Sequence, residues 1–216
     1  MVDVRELEPR LWYWTARHPA WTPEDGAREN GWDAEVGSYA YVSADLGTLV
    51  LFDPLVPNEG EDAFWDALDA DVEHHGAPHV LITVLPWHLR NSQAILDRYE
   101  GARMWAHAPA REQLSESTTV TDVFEAGDSL PGGIEAHSAG GSEHEIAYRI
   151  PEHAALVVGD SLIARPGKPV RVWPDEESVP AALRALLEHP IELLLLTHGE
   201  PVLGGGGGVL ARALDG

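Results

Sequence analysis

Two kinds of hydrophobic pattern occur along the chain. Residues 80–85 and 192–197 are almost continuously apolar, whereas residues 38–43 alternate. A continuous apolar run of this length is typical of a strand buried on both faces, and alternation is typical of an amphipathic strand. Residues 11–16 and 48–52 predict two further strands, and the second of these forms a hairpin with residues 38–43.

Helices are predicted where apolar residues recur at helical spacing. Residues 59–75 and 178–189 each carry such a stripe, and another helix is predicted to begin at Ser92, which would cap it, and to stop at Gly101. Strands of both kinds, mixed with about four or five helices, predict an α/β (α+β) protein in which two sheets lie between helices. We expect residues 1–216 to form a single domain.

Residues 18–32 predict a long loop, because prolines and glycines interrupt a charged stretch. Loops of this length are usually functional or disordered. Trp21 and Trp32 favour a loop that packs back on the body of the protein. Either these side chains cover a pocket, or they only anchor the loop.

The chain is strongly acidic. Its 216 residues include 36 Asp and Glu but 14 Lys and Arg, for a formal net charge of −22, and Lys168 is the only lysine. This balance argues against nucleic acid or an anionic membrane as a partner, because phosphate binding needs clustered basic residues. We expect a small-molecule substrate or ligand, and an anionic one would need help from a metal or from a residue such as Arg90.

Cysteine is absent from the sequence, which excludes disulfides, Cys-based zinc sites and thiol catalysis. The first eight residues include several charged side chains and lack the apolar stretch of a signal peptide. No segment approaches the ~18 consecutive apolar residues of a membrane span. A cytoplasmic protein is therefore expected, and the sequence leaves its oligomeric state open.

The loop after residues 80–85 is the strongest candidate for a functional site. Pro86 ends the strand because it has no amide donor, and Trp87, His88 and Arg90 follow before the next predicted helix. A buried strand that leads through a polar loop into a helix is a common location for an α/β active site. Trp87 would line an apolar pocket for the substrate or only fill space. Arg90 would bind an anionic substrate or pair with an acidic neighbour.

The order of four strand-end motifs resembles the metallo-β-lactamase superfamily. The motifs are residues 49–54 (Leu-Val-Leu-Phe-Asp-Pro), 80–83 (Val-Leu-Ile-Thr), 151–160 (from Pro-Glu-His to Val-Gly-Asp) and 195–199 (Leu-Leu-Thr-His-Gly). The resemblance covers about residues 11–203. It implies a four-layer αββα sandwich with a metal-binding cleft at one edge of the sheets.

The chain departs from the signature of that superfamily, His-x-His-x-Asp-His, which usually follows the threonine of the second motif. Val84, Pro86 and Leu89 stand where the signature has histidines, and His88 stands where it has aspartate. The next ligand histidine of the family falls on Gly141. The usual dinuclear zinc centre is therefore not expected at the usual positions.

Three residues remain as candidate metal ligands. Asp160 and His198 keep positions at which the family has ligands, and His88 follows another apolar strand, so all three are expected at one edge of the sheets. Two imidazoles and one carboxylate would suit a single zinc ion, or iron or manganese. Alternatively, no metal is bound, and Asp160 and His198 form a hydrogen-bonded pair that holds the loops. Other histidines that would substitute for lost ligands are His107, His137 and His144.

The resemblance implies a metal-dependent hydrolase with a reduced site, in which His88, Asp160 and His198 bind one ion. Its water would attack an ester, lactone, thioester or amide carbonyl. His88, Asp160 and Asp53 are the candidate catalytic residues, although Asp53 usually has a supporting role and would also suit bonds to loop amides. The alternative is a non-catalytic, metal-free member that uses the cleft where the family binds metal for binding a ligand or for assembly. A third hypothesis is metal-free acid/base catalysis by His88 with Asp160.

Overall fold

The structure is a computed structural model that describes residues 4–142, 144–173 and 178–216. Its first sheet has seven strands, each paired with the next along the chain. They are β1 (Arg5–Glu8), β2 (Leu11–Arg17), β3 (Glu35–Val42), β4 (Leu49–Phe52), β5 (His79–Leu81), β6 (Arg103–His107) and β7 (Asp122–Phe124). Neighbours from β1 to β4 are antiparallel, and those from β4 to β7 are parallel.

The second sheet also has seven strands. They are β8 (Ser129–Leu130), β9 (Ile134–Ser138), β10 (Ile146–Ile150), β11 (Ala155–Ile163), β12 (Arg171–Val172), β13 (Leu193–His198) and β14 (Val202–Leu203). Their order is β14-β13-β11-β10-β9-β8, with β12 added beside β11. β11 and β13 are parallel, so their carboxyl ends lie at the same edge of the sheet.

Helices cover the outer face of each sheet, except the first helix, which lies in the loop between β2 and β3. They are α1 (Pro23–Ala27), α2 (Glu61–His75), α3 (Ser92–Arg98), α4 (Arg111–Ser115), α5 (Ser178–Ala185) and α6 (Gly206–Asp215). Short 3-10 turns occur at Ala108–Ala110, Pro131–Gly133, Pro151–His153 and Leu186–Glu188. None of the described helices has the length and apolar character needed to cross a bilayer. The first three residues, on which the expectation of no signal peptide partly rests, lie outside the described ranges.

Three apolar layers hold the sandwich together. The central one lies between the sheets, where the rings of Phe52 and Tyr148 pack at a centroid distance of 5.6 Å. An outer layer joins the first sheet to α2 and α3, and another joins the second sheet to α5 and α6. Burial of each large apolar side chain contributes roughly 1.5–3 kcal/mol. The four-layer αββα architecture is confirmed.

β3 differs from the amphipathic strand that its pattern predicts. Tyr39 and Tyr41 face the other sheet, whereas Ala40 and Val42 face the layer beneath the helices, and all four are buried. The second face is covered because the strand lies near the middle of a sheet with helices outside it.

The strand predicted over residues 80–85 is shorter in the structure. β5 ends at Leu81, and residues 83–85 then leave the first sheet and pair with the residues just before β10. The amide of Ile146 donates to the carbonyl oxygen of Thr83 at 2.8 Å, and that of Leu85 to the carbonyl oxygen of His144 at 3.2 Å. The two sheets are therefore joined by backbone hydrogen bonds at this edge.

Two helix predictions also change. Residues 18–32 are not all loop, because α1 forms around a reciprocal pair of hydrogen bonds between Thr22 and Asp25, with Pro23 in the first turn. Ser92 does not cap α3. It is buried in the first turn, and the helix ends at Arg98 rather than near Gly101.

Candidate metal centre

The candidate residues all lie at one edge of the sandwich. Asp53 directly follows β4, His88 follows the segment that joins the two sheets, and His198 ends β13. Asp160 lies inside β11, where the register with β13 shifts between Val158 and Ile163. Such an irregularity re-aims a side chain that would otherwise follow the regular alternation of a strand.

Close packing fixes the floor of this site. A Cβ atom on Gly159 would lie 2.4 Å from both Thr83 Oγ1 and Val84 Cγ2, so only glycine fits beside them. Gly159 thus lets the chain just before Asp160 approach the loop that carries His88. Val84, at a position where the family has a ligand, is buried in this contact.

The structure brings the three predicted ligands together. Oδ1 of Asp160 lies 3.2 Å from Nε2 of His88 and 3.0 Å from Nε2 of His198. One ligand atom from each of the three lies within 4.8 Å of the other two. This is the one His, Asp or Glu cluster with such spacing in the described part of the chain, so His107, His137 and His144 do not join it.

The contact around Asp160 is not an ordinary hydrogen-bonded pair. Although two imidazole nitrogens flank its Oδ1 atom, that buried oxygen has no hydrogen bond with correct angles to any described residue. Ligands of a tetrahedral zinc ion, at about 2.0–2.1 Å from the metal, lie roughly 3.3 Å from one another. The two separations around Asp160 and its unsatisfied oxygen therefore fit a metal ion, and this His-Asp-His group is positioned to hold one.

Asp53 orients His88 from the opposite side of the ring. Nδ1 of His88 lies 3.0 Å from Oδ2 of Asp53, and the same carboxylate accepts hydrogen bonds from Thr83 and Thr197. Because these contacts converge on a fully buried carboxylate, Nδ1 carries a proton, and Nε2 faces Asp160. The expected supporting role of Asp53, including a bond from the Thr83 amide at 2.8 Å, matches this geometry.

The charges of the cluster are strongly coupled. Burial lowers the pKa of His88, but the carboxylates of Asp53 and Asp160 outweigh it and raise the pKa to about 9. Burial favours the neutral form of both aspartates, yet their contacts with the imidazoles hold their pKa values below the usual range. The pKa of His198 is lowered, chiefly by burial, so this ring is neutral near pH 7. Without a metal, the cluster contains an imidazolium between two carboxylates.

Aromatic side chains surround His198. Trp32 and Trp173 meet its ring edge to face, at centroid distances of 5.3 and 5.2 Å. The indole N–H of Trp21 donates to the carbonyl oxygen of Trp32, which ties the two ends of this loop together. His18 packs on the other side of Trp32 at 5.1 Å. Through Trp32, this loop forms part of the wall of the site.

Trp87 and Arg90 have different surroundings from one another. The side chain of Trp87 is 63% exposed beside the site. Arg90 forms no ion pair with an acidic residue in the described ranges: its Nη1 donates to the carbonyl oxygens of Gly37 and Asp53, at 2.9 and 2.7 Å. Its Nε and Nη2 atoms are buried and have no hydrogen-bond partner among the residues described. Arg90 therefore supports the backbone that carries Asp53.

Three residues near the site were not predicted from the sequence. Trp173 and His18 lie on loops far from any motif, and burial lowers the pKa of His18 to about 4. Glu145 is buried just before β10 and accepts a hydrogen bond from the hydroxyl of Ser161. Burial raises the pKa of Glu145 to about 7, against the effect of that hydrogen bond.

Comparison with known proteins identifies the architecture. No protein-family model matches the chain, and no curated protein sequence matches it. Solved structures do match. A metallo-β-lactamase from Pontibacter korlensis aligns with 100% of this chain and 98% of its own length, at a TM-score of 0.71 and 14% identity.

Two other structures extend the comparison. The metallo-β-lactamase FIM-1 from Pseudomonas aeruginosa, in a mono-zinc form, aligns with 99% of this chain and 95% of its own, at a TM-score of 0.70 and 14% identity. The Flv1 flavodiiron core from Synechocystis sp. PCC6803, a metal-soaked structure, gives a TM-score of 0.70 and 17% identity over 99% of this chain and 60% of its own. The chain therefore has the metallo-β-lactamase fold.

Proposed function

We propose that the protein is a metal-dependent hydrolase with a single-ion site formed by His88, Asp160 and His198. The observation that carries this proposal is the buried Oδ1 atom of Asp160, which lies 3.0–3.2 Å from two imidazole nitrogens without a hydrogen bond from either. A buried carboxylate oxygen without a well-aligned hydrogen bond is costly, and a cation removes that cost. Similarity in fold to a metallo-β-lactamase in a mono-zinc form and to a metal-soaked flavodiiron core supports the same proposal.

Zinc is the ion that two imidazoles and one carboxylate suit best, with iron or manganese as alternatives. When bound, such an ion supplies Lewis acidity, which polarises a carbonyl group and makes water a nucleophile near neutral pH. The substrate class we propose is a small molecule with an ester, lactone, thioester or amide bond.

The protein's own residues have distinct roles in this proposal. Asp53 keeps the proton on Nδ1 of His88 and so leaves Nε2 as a lone-pair donor. His198 is held between Trp32 and Trp173, whose rings restrict its orientation and exclude water from one side. Trp87, exposed beside His88, offers an apolar surface on which the substrate would rest.

Elemental analysis of protein purified without a metal-affinity tag tests this proposal. We expect about one equivalent of zinc, iron or manganese per chain after reconstitution, because the three ligands are already in place. His198→Ala should abolish metal binding, whereas His74→Ala, on the exposed face of α2, should not alter it. Less than about a tenth of an equivalent in the reconstituted parent protein would refute the proposal.

A metal-free member is the second candidate, and one observation favours it. The protonated His88 places one positive charge between the carboxylates of Asp53 and Asp160 without any metal. In that case the cleft would serve binding or assembly, or His88 and Asp160 would act as a metal-free acid and base. Hydrolysis that survives chelation would support the last possibility, and a protein without metal or activity would support the first.

A further inference from the structure

An apolar pocket lies on the outer face of the first sheet, between that sheet and α2. Its volume is about 380 Å³, and Trp12 on β2, Ala40 on β3 and Leu51 on β4 form its floor. These three residues are neighbours in the strand register, so their side chains share one face of the sheet. The volume lies at the lower end of the range for small-molecule sites, roughly 300–1,000 Å³.

Small side chains on α2 leave this space open. Phe64 and Leu68 are buried against the sheet, whereas Ala67 and Ala70 line the pocket with methyl groups only. Both alanines are exposed, as is Val4 on the other side of the pocket. The pocket is therefore open to solvent along the edge of α2, and a ligand can enter it without rearrangement of the core.

Among the described residues that line the pocket, Asp71 alone is charged. It follows Leu68 by three positions and Phe64 by seven, which is the spacing of the helix face that packs on the sheet. Its carboxylate is partly buried and forms no hydrogen bond or ion pair with a residue in the described ranges. Burial raises the pKa of Asp71, and His74 and His75 oppose this shift only in part. A cation in the pocket would stabilise the carboxylate.

Three aromatic rings line the same pocket. Trp14 and Phe64 pack at a centroid distance of 5.3 Å, and the indole N–H of Trp14 donates to the carbonyl oxygen of Leu55 at 2.8 Å, so both rings are held in place. Trp12 is the third. The face of an aromatic ring is partly negative and attracts cations. In the described part of the chain, the Arg side chains that lie over rings contact other aromatic residues, which leaves these three free for a ligand.

We propose that this pocket binds a small organic cation, an ammonium group carried by an aromatic body. The ammonium group pairs with Asp71, and the aromatic body lies on Trp12 beside the small side chains of α2. A neutral ligand would leave Asp71 without a partner, and an anionic one would be repelled by it. The net charge of −22 also attracts cations to the surface. His88, Asp160 and His198 are not among the lining residues, so this inference does not depend on the proposed hydrolysis.

Titration of the ¹⁵N-labelled full-length chain with phenethylammonium chloride tests the proposal, with phenethyl alcohol as the neutral counterpart. We expect saturable shifts of the Trp12 indole N–H and of the Ala67 and Ala70 amides with the ammonium probe. The alcohol should bind about 10-fold more weakly, because it cannot form the charge-assisted pair. Asp71→Asn should weaken binding of the ammonium probe by about 10-fold and leave binding of the alcohol unchanged.

Two further variants serve as controls. Asp66→Asn makes the same change of charge at an exposed position of α2 that does not line the pocket, and it should leave the affinity unchanged. It separates pairing with Asp71 from the general attraction of an acidic surface. Ala67→Leu, also at an exposed helical position, should abolish binding of both probes, because the larger side chain fills the pocket.

The titration is run on chelated protein, because an amine could otherwise coordinate a metal at the cluster; failure here is thus distinct from failure of the metal content test. The proposal is overturned by the absence of a saturable shift, by equal binding of the two probes, or by unchanged affinity in Asp71→Asn or Ala67→Leu. Shifts of the same signals that depend on protein concentration alone would assign the pocket to a second copy of the chain and overturn it too. If Asp71→Asn does not fold, the comparison of probes on the parent protein still decides.

Discussion

The charge of His88 gives the metal-free protein a stability that depends on pH. Burial opposes its protonation, but Asp53 and Asp160 raise its pKa from 6.5 to about 9. Because the folded-state pKa is above the unfolded one, protonation favours the folded state. This contribution is complete below the unfolded pKa and is lost as the pH rises from about 6.5 through about 9.

The size of this effect follows from the shift. One pKa unit corresponds to about 1.4 kcal/mol, so the shift of His88 corresponds to about 3 kcal/mol of unfolding free energy. Urea unfolding of chelated protein at about pH 6 and about pH 9.5 measures it as a fall in the transition midpoint. His88→Gln should lose most of that fall, whereas His189→Gln, at an exposed position, should retain it.

An equal fall in the parent and in His88→Gln would refute the reasoning. NMR titration of the His88 ring provides an independent check that does not depend on the variant, and a pKa below about 7 would contradict the charge assignment. Excess zinc should abolish the fall, because metal binding replaces the proton on Nε2.

Two further predictions concern groups around the cluster. Asp53→Asn should lower metal affinity by about 10–100-fold, because it removes the acceptor that orients His88, and should destabilise the fold by about 3–5 kcal/mol. Isothermal titration with zinc and urea unfolding measure these effects, and unchanged affinity would show that Asp53 does not orient the ligand. Glu145 has a folded-state pKa raised from 4.5 to about 7, so the parent should lose about 3 kcal/mol of stability as the pH rises across that interval. Glu145→Gln should remove this loss in unfolding experiments at about pH 4.5 and pH 8, and an unchanged pH dependence would contradict the assignment.

Much of the fold follows from local patterns. The apolar run of β13 and the hairpin of β3 and β4 are visible in the sequence, because strand burial imposes its pattern on consecutive residues. The pairing of residues 83–85 with the segment before β10 is not visible. The residues that pair are about sixty positions apart in the sequence. Pro86 indicates only that a strand has to end before it.

The candidate site shows the same division. His88, Asp160 and His198 were predicted because each follows or ends an apolar strand, and the parallel strands bring such positions to one edge. Trp173 was not predicted, since its contact with His198 depends on how the β11–β12 hairpin folds back. The helix α1 was missed although its capping pair, Thr22 and Asp25, has the spacing that signals a helix start.

Crystals grown with zinc and measured on both sides of the zinc absorption edge test the central claim most directly. We predict one anomalous peak at about 2.0–2.2 Å from Nε2 of His88, Oδ1 of Asp160 and Nε2 of His198. Absence of a peak there in excess zinc, or a peak held by other residues, would contradict a metal centre at the edge where Asp160 lies between the two imidazoles.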